Sequence, residues 1–179
     1  DRLSALIASR YRQSIEVRIS EPGVIAAQLR EADAVVGAAL VPGALAPRLV
    51  TRPMLGSMRA GAVLVDVSID QGGCFETSRP TTHADPVYQV DGIMHYCVAN
   101  MPGAVPRTSA YALNLATLPY VRQIAGRGVR EALLADLHLR NGLNVHAGLV
   151  TRPEVAEAVG ARYVDPRVAL GEAPAPAIP

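Results

Sequence analysis

The run Ala34-Val35-Val36-Gly37-Ala38-Ala39-Leu40 is apolar at every position. Such an unbroken run is typical of a strand covered on both faces, as in a parallel sheet. A second run, Val63-Leu64-Val65-Asp66-Val67-Ser68-Ile69-Asp70, reads as a strand that ends in a carboxylate and enters the turn Gln71-Gly72-Gly73. A third strand is expected near Met94 to Val98. Between them the pattern predicts helices from Glu21-Pro22 to about Glu31 and from about Thr51 to Met58, proline being tolerated in a first helical turn. Strand and helix alternating at short intervals predict βαβ units, hence an α/β fold with a doubly wound parallel sheet.

The flanking segments are less regular. Asp1 to about Arg12 reads as a helix with Leu3, Leu6, Ile7 and Tyr11 on one face, and Ile15 to Ile19 alternates as a strand does. Gln71 to about Asp91 is polar and reads as an irregular loop. After Asn100, the prolines and glycine of Met101-Pro102-Gly103 and Pro106 mark a linker. A long apolar helix then runs from Thr108 to about Ala125, which Pro119 should kink or divide. Val129–Leu139 and Pro153–Val159 read as helices, and the Pro/Ala tail from Glu172 is expected to be extended and mobile.

With 179 residues and a net charge of +1, the chain is one large domain or parts of two, with nothing to suggest a nucleic-acid partner or a membrane surface. No apolar run reaches membrane-spanning length. All 17 basic residues are arginine, which fits GC-rich codon use better than a functional demand. Two cysteines, Cys74 and Cys97, suit a reduced, cytoplasmic protein with buried thiols. The chain opens inside a helical pattern with no strand ahead of it, and is expected to be a fragment.

Open parallel sheets bind ligands at the carboxyl ends of their strands, which makes Asp70 the first candidate. It either closes a turn or acts as a catalytic carboxylate. Gly37-Ala38-Ala39, at the end of the neighbouring strand, is small enough for a flat ligand to lie across. Asn100 can bond a carboxamide or its own backbone, and Arg79 can meet an anion or water. Cys74, His83 and Cys97 match no common zinc spacing, and no metal site is expected. There is no G-x-G-x-x-G and no Walker motif.

Four segments in order resemble alanine dehydrogenase. They are Gly37-Ala38-Ala39-Leu40-Val41-Pro42-Gly43-Ala44, Val65-Asp66-Val67-Ser68-Ile69-Asp70-Gln71-Gly72-Gly73-Cys74-Phe75-Glu76, Ser78-Arg79-Pro80-Thr81-Thr82 and Tyr96-Cys97-Val98-Ala99-Asn100-Met101-Pro102. The likeness continues through Pro106-Arg107-Thr108-Ser109 and Tyr111-Ala112-Leu113, and more weakly to about Pro166. It implies NAD-dependent oxidative deamination of L-alanine to pyruvate and ammonia. Asp70 is then the catalytic aspartate, working with a histidine of a substrate domain. The implied NAD contacts are Ala39, Leu40, Val67, Ser68, Ile69, Asp70, Arg79, Val98, Ala99, Asn100 and Met101.

The same resemblance divides the chain into residues 1–104, the second half of an NAD(H)-binding Rossmann-type domain, and residues 105–171, the connecting helix and C-terminal helices of a substrate domain. Residues 172–179 form the tail. The family's glycine-rich turn, its ribose-binding acid, its catalytic histidine and its substrate-gripping Lys and Arg would lie upstream of Asp1. A chain without them is expected neither to bind NAD tightly nor to turn over alanine alone. Where some members carry a metal-binding Glu and His, this chain has Gln123 and Arg127. The complete protein is implied to be a homo-oligomer. The rival readings are the nucleotide-binding component of a proton-translocating transhydrogenase, which shares Asp-Gln-Gly-Gly, and a non-catalytic partial-fold binding module.

Overall fold

Three parallel strands carry the candidate residues at their carboxyl ends. In the computed structural model, which describes residues 6–7 and 15–172, these are β1 (Ala34–Gly37), β2 (Val63–Asp66) and β4 (Ile93–Tyr96). An antiparallel strand, β3 (Val87–Val90), completes the order β1-β2-β4-β3. Register pairs Gly37 with Asp66 across β1 and β2, and Val65 with Tyr96 across β2 and β4, so the three strands end on one side. Helix α1 (Pro22–Leu29) precedes β1, and the short α2 (Arg52–Leu55) lies between β1 and β2. The fold is α/β with a parallel sheet and helices.

The described residues form two compact units, one drawn from 1–39 and 47–99, the other from 40–46 and 100–179. The first is centred on Leu64, Ile93, Val98, Leu55 and Phe75, each nearly or wholly withdrawn from solvent. Each such side chain contributes about 1.5–3 kcal/mol by leaving water. Gly37 is the tight point of this packing, because a Cβ there would lie 2.3 Å from Cys74 Sγ and 2.6 Å from the Phe75 ring. The second unit contains α3 (Pro106–Arg127), α4 (Val129–Ala135), α5 (Leu137–Asn141), a hairpin of β5 (Val145–His146) and β6 (Leu149–Val150), α6 (Pro153–Val159) and α7 (Pro166–Ala169).

Several expectations change. The apolar run from Ala34 stops being a strand at Gly37, and Val36 is exposed, so β1 is not covered on both faces. Among the described residues β1 pairs only with β2, leaving its other edge open. Ile15–Ile19 is irregular, having no neighbour to pair with among the described residues. The loop from Gln71 to Asp91 contains β3, because Asp91-Gly92, both at positive φ, turns the chain back against β4. Helix α3 runs unbroken through Pro119. The carbonyl this proline cannot bond belongs to exposed Leu115, where water can serve it.

Asp136 splits the helix expected over Val129–Leu139, because its carboxylate accepts the N–H groups of His138 and Leu139 and caps a new start. Those bonds, that of Leu139 first, hold its carboxyl below the usual aspartate range. Of the N-terminal helix only Leu6 and Ile7 are described, both helical; its remainder and the tail beyond Glu172 lie outside the described residues.

Candidate functional site

The strand expected to run from Val63 to Asp70 ends four residues early, at Asp66. Its carboxylate is fully buried and accepts the N–H of Ser68 at 3.0 Å, which tightens Val67–Gln71 into a 3₁₀ helix. Asp66 also accepts the N–H of Cys74 at 2.9 Å, the N–H of Phe75 at 3.4 Å and the Ser78 hydroxyl at 2.5 Å. One carboxylate therefore fastens both ends of the loop that carries Asp70. Gly73 permits this, since its φ is +78° and a Cβ would stand 2.7 Å from Asp66 Oδ2.

Within that loop the side chains divide. Ser68 and Ile69 are buried, and the Ser68 hydroxyl donates to the Ala39 carbonyl at 2.7 Å, joining the end of β1 to the turn after β2. Val67 and Asp70 are exposed. The Asp70 carboxylate thus sits in the 3₁₀ turn rather than on the strand. Val98 is buried beside the end of β4 and bridges Thr81, while Ala99, exposed, donates its N–H to the Thr81 carbonyl. Ser68, Ile69 and Val98 have only their backbone to offer a ligand; Ala39, Val67, Asp70 and Ala99 stand at or near the surface.

Arg79 is exposed, and its guanidinium carbon lies 4.0 Å from the centre of the Tyr88 ring. It makes no ion pair among the described residues. The Tyr88 hydroxyl accepts the Arg79 backbone N–H and donates to the Thr77 carbonyl, both at 2.8 Å. Burial, with Cys97 beside it, raises the Tyr88 phenol far above its ordinary range. The ring stacks on His95, 4.9 Å between centres. His95 is fully buried; its Nδ1 donates to the Ile93 carbonyl, and Nε2 therefore accepts from the Thr77 hydroxyl at 2.7 Å. Burial pushes its pKa down and keeps it neutral.

The remaining predicted residues fall in the second unit. Leu40 is exposed. Asn100 adopts a left-handed conformation, φ +54°, and its carbonyl accepts the Gly103 N–H at 2.8 Å. Met101 starts the 3₁₀ turn Met101–Ala104, and a groove of about 530 Å³ lies beside it, lined by Asn100, Pro102, Pro106, Ser109 and Leu113. Cys74 and Cys97 are buried thiols, and burial raises that of Cys74. Among the described residues no three His, Cys, Asp or Glu gather to hold a metal, and no helix is long and apolar enough to cross a membrane.

Sequence reasoning missed Asp66 and Tyr88. For Tyr88 the available signal was Val90-Asp91-Gly92-Ile93, a hairpin turn between apolar residues. For Asp66 it was an acid set within an otherwise apolar strand, a position that demands several hydrogen-bond donors.

Residues 1–153 match the family described as "Alanine dehydrogenase/PNT, C-terminal domain". The chain is 55% identical over 162 residues to an alanine dehydrogenase of Halomonas elongata, covering 90% of this chain and 44% of that protein. It is 49% identical over 159 residues to one of Mycolicibacterium smegmatis, covering 89% and 41%. A solved L-alanine dehydrogenase superposes with a TM-score of 0.74 at 43% identity, covering 89% of this chain and 44% of that one. A transhydrogenase from Sinorhizobium meliloti gives 0.51 at 29%, covering 74% and 36%. The chain thus spans less than half the length of the relatives it matches. On the family match and these identities, the chain belongs to the alanine dehydrogenase/PNT family.

Proposed function

We propose that this chain supplies the nicotinamide-cofactor side of an NAD-dependent alanine dehydrogenase. The overall change is L-alanine + NAD⁺ + H₂O → pyruvate + NH₄⁺ + NADH + H⁺. The carrying observation is the exposed Asp70 carboxylate, held at the carboxyl end of a parallel strand by the fully buried Asp66.

The first unit's strand ends fit a flat, phosphate-bearing cofactor. Ala38 and Ala39 present little bulk after β1, Val67 is open after β2, and Arg79 offers a cation without an acidic partner among the described residues. Bound NAD supplies the hydride acceptor. Asp70 orients the amino group and takes up or returns a proton as the amine carbon is oxidised and hydrolysed. A histidine outside this chain shares that work. We place the reaction in the cytoplasm and the complete protein in a homo-oligomer. The transhydrogenase reading rests on the more distant likeness.

The test joins the chain to the remaining part of the Halomonas elongata relative and follows NADH formation from NAD and L-alanine. Turnover is expected, and Asp70→Asn should remove it, at least about 100-fold, while NADH still binds. Turnover unchanged in Asp70→Asn takes Asp70 out of the reaction. A parent fusion that folds and binds NADH but ignores alanine overturns the alanine dehydrogenase reading.

A further inference from the structure

We infer that Tyr88 is a positioning residue, which holds Arg79 in place as an anion receptor for the phosphate-bearing part of the cofactor. The inference rests on the function proposed above, but its geometry stands independently. Two separate contacts converge on one arginine. The Tyr88 hydroxyl accepts the Arg79 backbone N–H at 2.8 Å, and the ring lies 4.0 Å beneath the guanidinium carbon. Backbone and side-chain head are thus held by the same residue, which leaves the long stem little freedom.

Tyr88 is itself anchored. Its hydroxyl hydrogen goes to the Thr77 carbonyl at 2.8 Å, its ring stacks on buried His95, and Cys97 Sγ lies 3.5 Å from its oxygen. Thr77, Ser78 and Arg79 are consecutive, and Ser78 is tied to Asp66. The Arg79 segment is therefore fixed to the strand that leads to Asp70 through Ser78, and to β3 and β4 through Tyr88. An exposed arginine ordinarily samples many rotamers, and ordering it on ligand binding costs affinity. With no acid paired to it among the described residues and an aromatic face beneath it, Arg79 keeps its charge available in a prearranged position. Burial, with Cys97 beside it, pushes the phenol up and so favours the protonated form that makes this hold.

The test has two arms. In the 179-residue chain, NMR reads the Arg79 side-chain and amide signals. Tyr88→Leu should move the side-chain signals out of the ring's shielding. Tyr88→Phe should keep that shielding but speed exchange of the Arg79 amide. Side-chain signals identical in chain and Tyr88→Leu overturn the inference. In the fusion described above, Tyr88→Leu should raise KM for NAD about 3-fold with the effect on KM rather than kcat, and Tyr88→Phe less. In an Arg79→Ala background Tyr88→Leu should add nothing, an outcome that general destabilisation would not give. Unchanged KM, or an equal effect with Arg79 removed, overturns the positioning role. A parent fusion that folds and binds NADH but does not turn over alanine defeats the proposed function, while the NMR arm still decides whether Tyr88 holds Arg79.

Discussion

His95 shows how one buried side chain sets conditions for its surroundings. It is neutral, enclosed, and stacked on the ring that carries Arg79. Burial lowers its pKa in the folded protein, whereas the unfolded chain titrates near the ordinary histidine value of about 6.5. Below that value the unfolded state binds the extra proton, so the contribution of His95 is fully present above about pH 6.5 and is lost as pH falls through the folded-state value. Denaturant midpoints measured from pH 8 downward should decline below about 6.5, and His95→Gln should flatten that part of the curve. An identical decline in the variant would assign it to other groups. A candidate at Asp70 was visible in the sequence because its spacing and motif are local. His95, Asp66 and Tyr88 were not, because their roles depend on contacts between segments up to 18 residues apart, such as Thr77 with His95.

At the scale of elements, strand existence was legible and strand length was not. The runs around Val35, Leu64 and His95 became β1, β2 and β4, although β1, with Ala34 and Val36 exposed, is less buried than its apolar continuity implies. Their ends depended on side-chain chemistry that periodicity does not carry. Asp66 caps a turn inside what reads as one strand, and Asp136 does the same inside what reads as one helix. Gly37 marks where β1 crosses the packed Cys74 and Phe75 side chains. Gly37→Ala should cost about 1–3 kcal/mol through overpacking, read as a lower denaturant midpoint. Gly23, in α1 with nothing within 4 Å of an added Cβ, is the counterpart. Gly23→Ala should gain about 0.4–1 kcal/mol, chiefly by narrowing the freedom of the unfolded chain. Equal effects at the two sites would show that the space around Gly37 is not limiting.

At the scale of the whole molecule, α3 stands out. None of its 22 residues is buried, and Tyr111, Leu113, Leu115, Leu118 and Val121 are well exposed. Large apolar side chains this exposed along one helix are ordinarily covered by a neighbour. In a purified sample the available neighbour is another copy of the chain. Sedimentation should therefore show species larger than 18.8 kDa, with Leu115→Glu combined with Leu118→Glu shifting them toward monomer. A parent chain that sediments as monomer at all concentrations would overturn this.

The two units are not consecutive in sequence. Leu40–Ala46 belongs with the later unit, where a Cβ on Gly43 would lie 3.3 Å from Glu154 Cβ. During translation this short stretch leaves the ribosome early, while its companion residue is still unmade. At about 5–20 residues per second, Glu154 follows roughly 5–20 seconds later. The nascent chain must meanwhile assemble β1 and β2 around an unsettled seven-residue excursion. The speed of synthesis between Ala46 and Glu154 thereby bears on how these residues reach their native arrangement.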